Sequence, residues 1–148
     1  MDEDERRRIE HDCRNLMYRH AQLSDAGRVA EAVDLFTSEG TWIRGGKPYT
    51  GREQMLASSS RSATAIGRHF TSNTVIEVHD KDHASAVSYY IVFRHDPGVP
   101  DAKLPLPLGG AFSMGEWHDR YVRTAKGWRF EFREVKRMFQ QQESSRTD

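Results

Sequence analysis

The chain has 148 residues, enough for one domain (residues 1–148) whose core needs neither a metal nor a disulfide to be stable. Its 22 basic side chains balance its 22 acidic ones, so no net field draws it to nucleic acid or to an acidic membrane surface. Cys13 is the single cysteine and no apolar run is long enough to span a membrane, so we expect a cytoplasmic protein without a nucleic-acid or membrane partner.

The first half of the chain has a helical period. Apolar side chains between Ile9 and Leu23 recur every three or four residues, which is typical of an amphipathic helix. The stretch Ser24-Asp25-Ala26-Gly27 interrupts this pattern, because Gly27 suits a left-handed residue after a helix and Asp25 can cap the next one. The predicted elements are helices over 5–23, 28–36 and 52–65, with a turn at 37–40, a short strand over 41–43 and a tight turn at 45–48.

After Gly67 the period changes to two, which is typical of β-strands. We predict strands over 68–78, 83–95, 110–123 and 128–139. Residues 96–108 hold four of the five prolines and are predicted to form a loop that acts as a lid or an oligomer contact. Residues 140–148 are polar and predicted to fray.

Helices followed by a run of long antiparallel strands predict an α+β domain in which the helices cover one face of a curved sheet. A sheet that rolls around its helices leaves a cone with an opening. A pocket in that opening is the default site for a ligand.

Several short motifs lie on this framework. They are an Asp-x-Gly turn at Asp25, a Phe-Thr at Phe36, Arg-His-Phe-x-x-Asn from Arg68, Gly-x-Trp-x-Asp-x-Tyr from Gly115, and Gly-Trp-Arg-Phe from Gly127 with Arg133 beyond it. Together they resemble the nuclear-transport-factor-2-like superfamily (NTF2-like), and the last two resemble the terminal hairpin of its SnoaL-like branch. The resemblance covers about residues 8–139. It implies a cone-shaped fold with three N-terminal helices on a strongly curved, mostly antiparallel sheet that encloses a pocket.

Within the superfamily the sequence is most similar to hexachlorocyclohexane dehydrochlorinase and scytalone dehydratase. Those enzymes use a histidine and an aspartate to remove a proton and expel a leaving group, and the matching positions here are His69 and Asp25. A carboxylate that accepts from one ring nitrogen fixes the histidine tautomer and leaves the other nitrogen as a general base. The alternatives are that Asp25 caps a helix and that His69 is a hydrogen-bonded core residue.

Seven further residues are predicted to bind the substrate. His20 is predicted to lie on the apolar face of the first helix. It is either a third polar group of the pocket or a core histidine. The resemblance favours Asp119 with Arg133 as its partner, either to orient a substrate carbonyl or to join two strands. The predicted apolar wall, or else ordinary core, consists of Phe36, Trp42, Tyr90 and Trp117.

These features predict a cofactor-independent lyase or isomerase that acts on a hydrophobic small molecule. Two alternatives stay open: a small-molecule-binding module without chemistry, and an assembly subunit like the small subunit of ring-hydroxylating dioxygenases. The seven histidines lack the spacing of metal ligands and no phosphate-binding loop occurs, so we expect neither a metal nor a cofactor. The resemblance implies a homodimer or homotrimer.

Overall fold

The computed structural model of the chain describes residues 1–59 and 61–142 and shows the predicted α+β architecture. Over these residues, three helices pack against a single curved six-stranded sheet. The helices are α1 (Glu3–Asp25), α2 (Val29–Val33) and α3 (Gly51–Ala57). The strands are β1 (Phe36–Arg44), β2 (Lys47–Thr50), β3 (Ile66–Val78), β4 (His83–His95), β5 (Ser113–Thr124) and β6 (Gly127–Gln140). None of the described helices is long and apolar enough to cross a membrane.

The long helix α1 is defined at both ends by local chemistry. Asp2 caps its N-terminus, since Oδ1 accepts a hydrogen bond from the backbone N–H of Glu5 at 2.7 Å. At the other end Gly27 takes the left-handed conformation with φ of 72°, which terminates the helix without the steric penalty that a Cβ would bring. Asp25 is therefore the last residue of α1, held at the point where the helix meets the sheet.

The strands follow the order β2-β1-β6-β5-β4-β3 across the sheet. All neighbours are antiparallel except β1 and β6, which run parallel. Side chains alternate between the two faces, so on β5 the buried residues are every second one from Ser113 to Tyr121. Of these, Trp117 and Tyr121 belong to the hydrophobic core, together with Met17 of α1 and Phe130 of β6. Burial of one such side chain contributes about 1.5–3 kcal/mol.

The prediction for the segment after α2 is wrong. Phe36 was expected to close the second helix, with a turn at 37–40, but Phe36 begins β1 and the turn residues lie within that strand. The reason is pairing at a distance: Phe36 is aligned with Phe130 of β6, and its ring lies 5.0 Å from the Phe130 ring. Such tertiary contacts outweigh the local helical spacing.

The sheet also has one more strand than predicted. Residues 47 and 48 were predicted to belong to a tight turn, but Lys47–Thr50 forms β2, because Gly45 and Gly46 both have positive φ, the conformation of a two-residue hairpin. Pro48 is tolerated there because β2 is an edge strand.

The third helix and the fourth predicted strand are shorter than expected. α3 ends at Ala57 instead of residue 65, and the hydroxyl of Ser58 donates to the Met55 carbonyl at 2.7 Å, a bond that competes with continued helix. β5 begins at Ser113 instead of residue 110. Of the predicted frayed tail, Gln140 ends β6 and residues 143–148 lie outside the described part of the chain.

Candidate active site

A cavity of about 450 Å³ lies between the end of α1 and the concave face of the sheet. Seven of the nine predicted site residues line it: His20, Asp25, Trp42, His69, Tyr90, Trp117 and Arg133. They come from one helix and five strands. They line the same cavity because α1 ends at Asp25 beside the sheet and because alternate strand residues share one face.

Asp25 and His69 meet directly at the edge of this cavity. The Nδ1 atom of His69 lies 2.6 Å from Oδ1 of Asp25, and the backbone N–H of His69 donates to Oδ2 at 2.9 Å. Both carboxylate oxygens are thus used by one residue, which fixes the imidazole against the end of α1. Of the two side chains, Asp25 is 11% exposed and His69 is 27% exposed, so the acid is covered and the ring is accessible.

The geometry assigns the hydrogen of the neutral imidazole. An ionised carboxylate can only accept, so Nδ1 of His69 donates and Nε2 keeps its lone pair. The ring packs near two stacked aromatic side chains, 5.8 Å from Trp117 and 6.4 Å from Tyr90 between centroids. An accessible ring nitrogen with a free lone pair beside apolar walls can remove a proton from a bound molecule.

Arg61 supports the acid of this pair from the other side. Its guanidinium donates to the backbone carbonyls of Ser24, Asp25 and Ala65, the last at 2.7 Å. These bonds join the end of α1 to Ala65, the residue before β3, and bring the cation close enough to interact with the charge of Asp25. The pair is thereby held by both backbone and charge.

A second, buried network begins at the wall of the cavity and continues behind it. Arg133 donates from Nε and Nη2 to the two carboxylate oxygens of Asp119, each at 2.7 Å, and Tyr121 donates its hydroxyl to the same carboxylate at 2.9 Å. The remaining donor of interest is Nη1 of Arg133, which lies 3.0 Å from Nδ1 of His20. Since arginine can only donate, Nδ1 of His20 is the acceptor and Nε2 carries the hydrogen.

His20 is held neutral by this environment. Burial first, and then the positive charge of Arg133, lower the pKa of His20 well below its usual 6.5. Its Nε2–H is buried and has no partner in the described structure. Its ring packs edge-on against Trp42, at 5.0 Å between centroids. His20 is therefore a neutral, buried group at the wall of the cavity, and its Nε2–H is paired with none of the described residues.

The SnoaL-like domain family matches residues 5–134 of the sequence. The chain belongs to the SnoaL-like family. None of the curated proteins matches it in sequence.

Solved structures match the SnoaL-like domain over most of its length. A scytalone dehydratase candidate from Novosphingobium aromaticivorans has a TM-score of 0.74 at 17% identity, over 97% of this chain and 93% of its own. An NTF2-like protein with a cystatin-like fold from the same organism has a TM-score of 0.69 at 23% identity, over 90% and 86%. A Catenulispora acidiphila protein in complex with S-DNPA has a TM-score of 0.68 at 21% identity, over 87% and 92%. The predicted NTF2-like fold is confirmed, and such identities show the fold alone.

Two predicted site residues of the SnoaL-like domain lie behind the cavity wall. Phe36 and Asp119 are not among the lining residues of the described chain, and they are 6% and 2% exposed. Phe36 is covered because its ring packs between Trp42 and Phe130, and Asp119 is covered by Arg133. Both side chains shape the site through the residues that they support.

The structure also brings into the cavity four arginines of the SnoaL-like domain that the sequence reasoning missed: Arg44, Arg61, Arg94 and Arg137. A signal for three of them was present in the strand period. Arg44 lies two residues after Trp42, Arg94 four after Tyr90, and Arg137 four after Arg133. Even spacing along a strand places each arginine on the face of a predicted pocket residue.

Proposed function

We propose that the protein is a cofactor-independent lyase or isomerase that removes a proton from a small molecule, with His69 as the general base. The observation that supports this most directly is the 2.6 Å contact between Nδ1 of His69 and Asp25, with the ring lining a cavity of about 450 Å³. Asp25 orients the imidazole and stabilises the imidazolium that forms.

The reaction begins when Nε2 of His69 takes a proton from a carbon next to a substrate carbonyl. The electron pair of the broken C–H bond moves to the carbonyl oxygen and gives an enolate. The enolate then either expels a leaving group from the β-carbon, which is elimination or dehydration, or takes the proton back at another carbon, which is isomerisation. No redox step is needed.

His20 is the second histidine beside the cavity, and its role is to leave His69 as the base. Burial and the charge of Arg133 lower the pKa of His20 and keep it neutral, so it does not compete for the proton that His69 removes. Trp42, Tyr90 and Trp117 form the apolar wall for the body of the substrate. Of the proteins similar in fold, one bears the name of a dehydratase candidate and another binds S-DNPA, which favours a small-molecule substrate and lyase-type chemistry here as well.

Proton abstraction can be tested without the natural substrate. The ketone 2-tetralone has acidic hydrogens beside its carbonyl, and their exchange for deuterium in D₂O is followed by ¹H NMR. We expect the protein to accelerate this exchange and His69→Gln to lose about a hundredfold or more of the acceleration, the usual size of a general-base contribution.

The chain offers a matched control in His83. Its Nδ1 lies 3.0 Å from Oδ1 of Asp80, so it forms a similar pair, but on an exposed hairpin. His83→Gln should retain the exchange activity. Equal exchange by wild type and His69→Gln, or no acceleration by wild type, would contradict the proposal. Retained binding of 2-tetralone in that case would favour the alternative of a binding module.

A further inference from the structure

The charge of the cavity differs from that of the whole chain. The sequence has no net charge, yet five arginines line the cavity and Asp25 is the one carboxylate among the lining residues that the structure describes. The five are Arg44, Arg61, Arg94, Arg133 and Arg137. No lysine is among them, and arginine is the cation whose planar fork fits a carboxylate.

Two of these arginines use their guanidinium groups for contacts within the protein. Arg133 is neutralised by Asp119, with both contacts at 2.7 Å, and Arg61 donates to three backbone carbonyls. The other three, Arg44, Arg94 and Arg137, form no ion pair with a carboxylate of residues 1–59 and 61–142. The cavity therefore has a positive field that the described chain does not balance.

Arg44 is the most enclosed of the three. It is half-buried on β1, with its guanidinium carbon 4.2 Å from the centre of the Trp42 ring and 5.5 Å from that of Tyr49, and it donates to the hydroxyl of Ser58. Burial lowers the pKa of Arg44 from its usual 12.5, since the cation has lost part of its hydration without gaining a carboxylate. A bound anion would supply the missing partner.

We propose that the substrate of this site is an aromatic acid whose carboxylate binds to Arg44. The guanidinium groups of Arg94 and Arg137 add to the positive field, and the aromatic body packs against Trp42 and the stacked pair of Tyr90 and Trp117. This substrate class rests on the proposed function, because it places the reacting carbon at His69 in the same cavity. It also gives that function an electrostatic advantage, since the enolate that forms bears a second negative charge.

The test compares an acid with its neutral amide. The probes are 2-naphthoate and 2-naphthamide, and their dissociation constants are measured by titration calorimetry. We expect the acid to bind about tenfold more tightly than the amide or better, the size of one charge-assisted hydrogen bond. Arg44→Gln should remove that advantage and leave the affinity for the amide unchanged, which also shows that the variant is folded.

Arg120 provides the matched control. Its guanidinium lies 4.2 Å from the centre of the Phe132 ring, the same distance as Arg44 from Trp42, but it is exposed and does not line the cavity. Arg120→Gln should change neither affinity. The proposal is overturned if the amide binds as tightly as the acid, or if Arg44→Gln affects the acid no more than Arg120→Gln does.

A third variant separates this inference from the proposed function. His69→Gln removes the base and leaves every arginine of the cavity in place. It should therefore bind 2-naphthoate like wild type while losing deuterium exchange of 2-tetralone. Loss of acid binding in Arg44→Gln with normal exchange in His69→Gln would support the substrate class and refute the base. The reverse pattern would support the base and refute the substrate class.

Discussion

The buried carboxylate of Asp119 offers the sharpest test of how the site is held. It accepts two bonds from Arg133 at 2.7 Å and one from Tyr121 at 2.9 Å, and both charged side chains are at most 1% exposed. In Asp119→Asn the amide NH₂ faces one of these donors and the charge of Arg133 is left buried without compensation. Removal of one partner from a buried pair costs about 3–5 kcal/mol.

That loss is large compared with the roughly 5–15 kcal/mol that stabilises a typical domain. For a chain of this size it corresponds to a fall in melting temperature of roughly 10 °C. The assay is urea unfolding followed by tryptophan fluorescence and circular dichroism, so that two probes check for a single transition.

An exposed pair in the same sheet is the control. Arg120 and Glu131 lie 3.4 Å apart with side chains about half exposed (57% and 49%), so Glu131→Gln should cost at most about 1 kcal/mol. If Asp119→Asn lowers the free energy of unfolding no more than Glu131→Gln, then Asp119 does not compensate Arg133 in the way described. The orientation of His20 by Arg133 would then lose its support.

Three further changes have defined outcomes. Gly115→Ala should lower the free energy of unfolding by about 1–3 kcal/mol in urea titrations, since a Cβ there would overlap the backbone carbonyl oxygen of Lys136. An unchanged midpoint would contradict this packing. The Cys13 thiol should resist Ellman's reagent in the native protein at pH 8 and react in urea, because burial raises its pKa to about 12. Below pH 6.5 the unfolded chain protonates His20 while the folded chain does not, so acidification should lower the free energy of unfolding by up to about 1.4 kcal/mol per pH unit. His20→Gln should remove this contribution to the pH dependence of the free energy of unfolding.

The sequence predicted the long elements well because their signals are local. The strand predicted at 83–95 coincides with β4, since the β-branched and aromatic residues between Val87 and Phe93 favour a strand wherever they stand. The short elements failed where a distant partner decides the conformation. Phe36 continues a helical spacing in the sequence, and its pairing with Phe130 across the sheet makes it a strand residue.

The site divides in the same way. Asp25 and His69 are 44 residues apart, so no pattern in the sequence brings them together, and the family resemblance did. The face on which Arg44, Arg94 and Arg137 lie could have been predicted from strand alternation, whereas Arg61 lies on no strand. The resemblance also gave Arg133 as the partner of Asp119, and the two side chains do form an ion pair. What the sequence could not show is that Arg44 has no carboxylate partner among residues 1–59 and 61–142, because charge compensation depends on packing across several strands.

The proposed reaction depends most on the tautomer of His69. Asp25 should keep Nδ1 protonated and leave Nε2 as the base. In Asp25→Asn one amide oxygen replaces the two carboxylate oxygens. If this oxygen accepts from the backbone N–H of His69, the amide NH₂ faces Nδ1. Nδ1 must then accept a hydrogen bond, so the ring hydrogen moves to Nε2. A similar change of tautomer in serine proteases lowers kcat by about 10⁴.

Nitrogen-15 NMR of the histidine side chains measures this directly, at a pH where the ring is neutral and with His69→Gln to assign the signals. The account predicts that His69 has its hydrogen on Nδ1 in the wild type and on Nε2 in Asp25→Asn. A wild-type His69 with its hydrogen on Nε2 would contradict the account, because the nitrogen proposed to remove the proton would then have no lone pair.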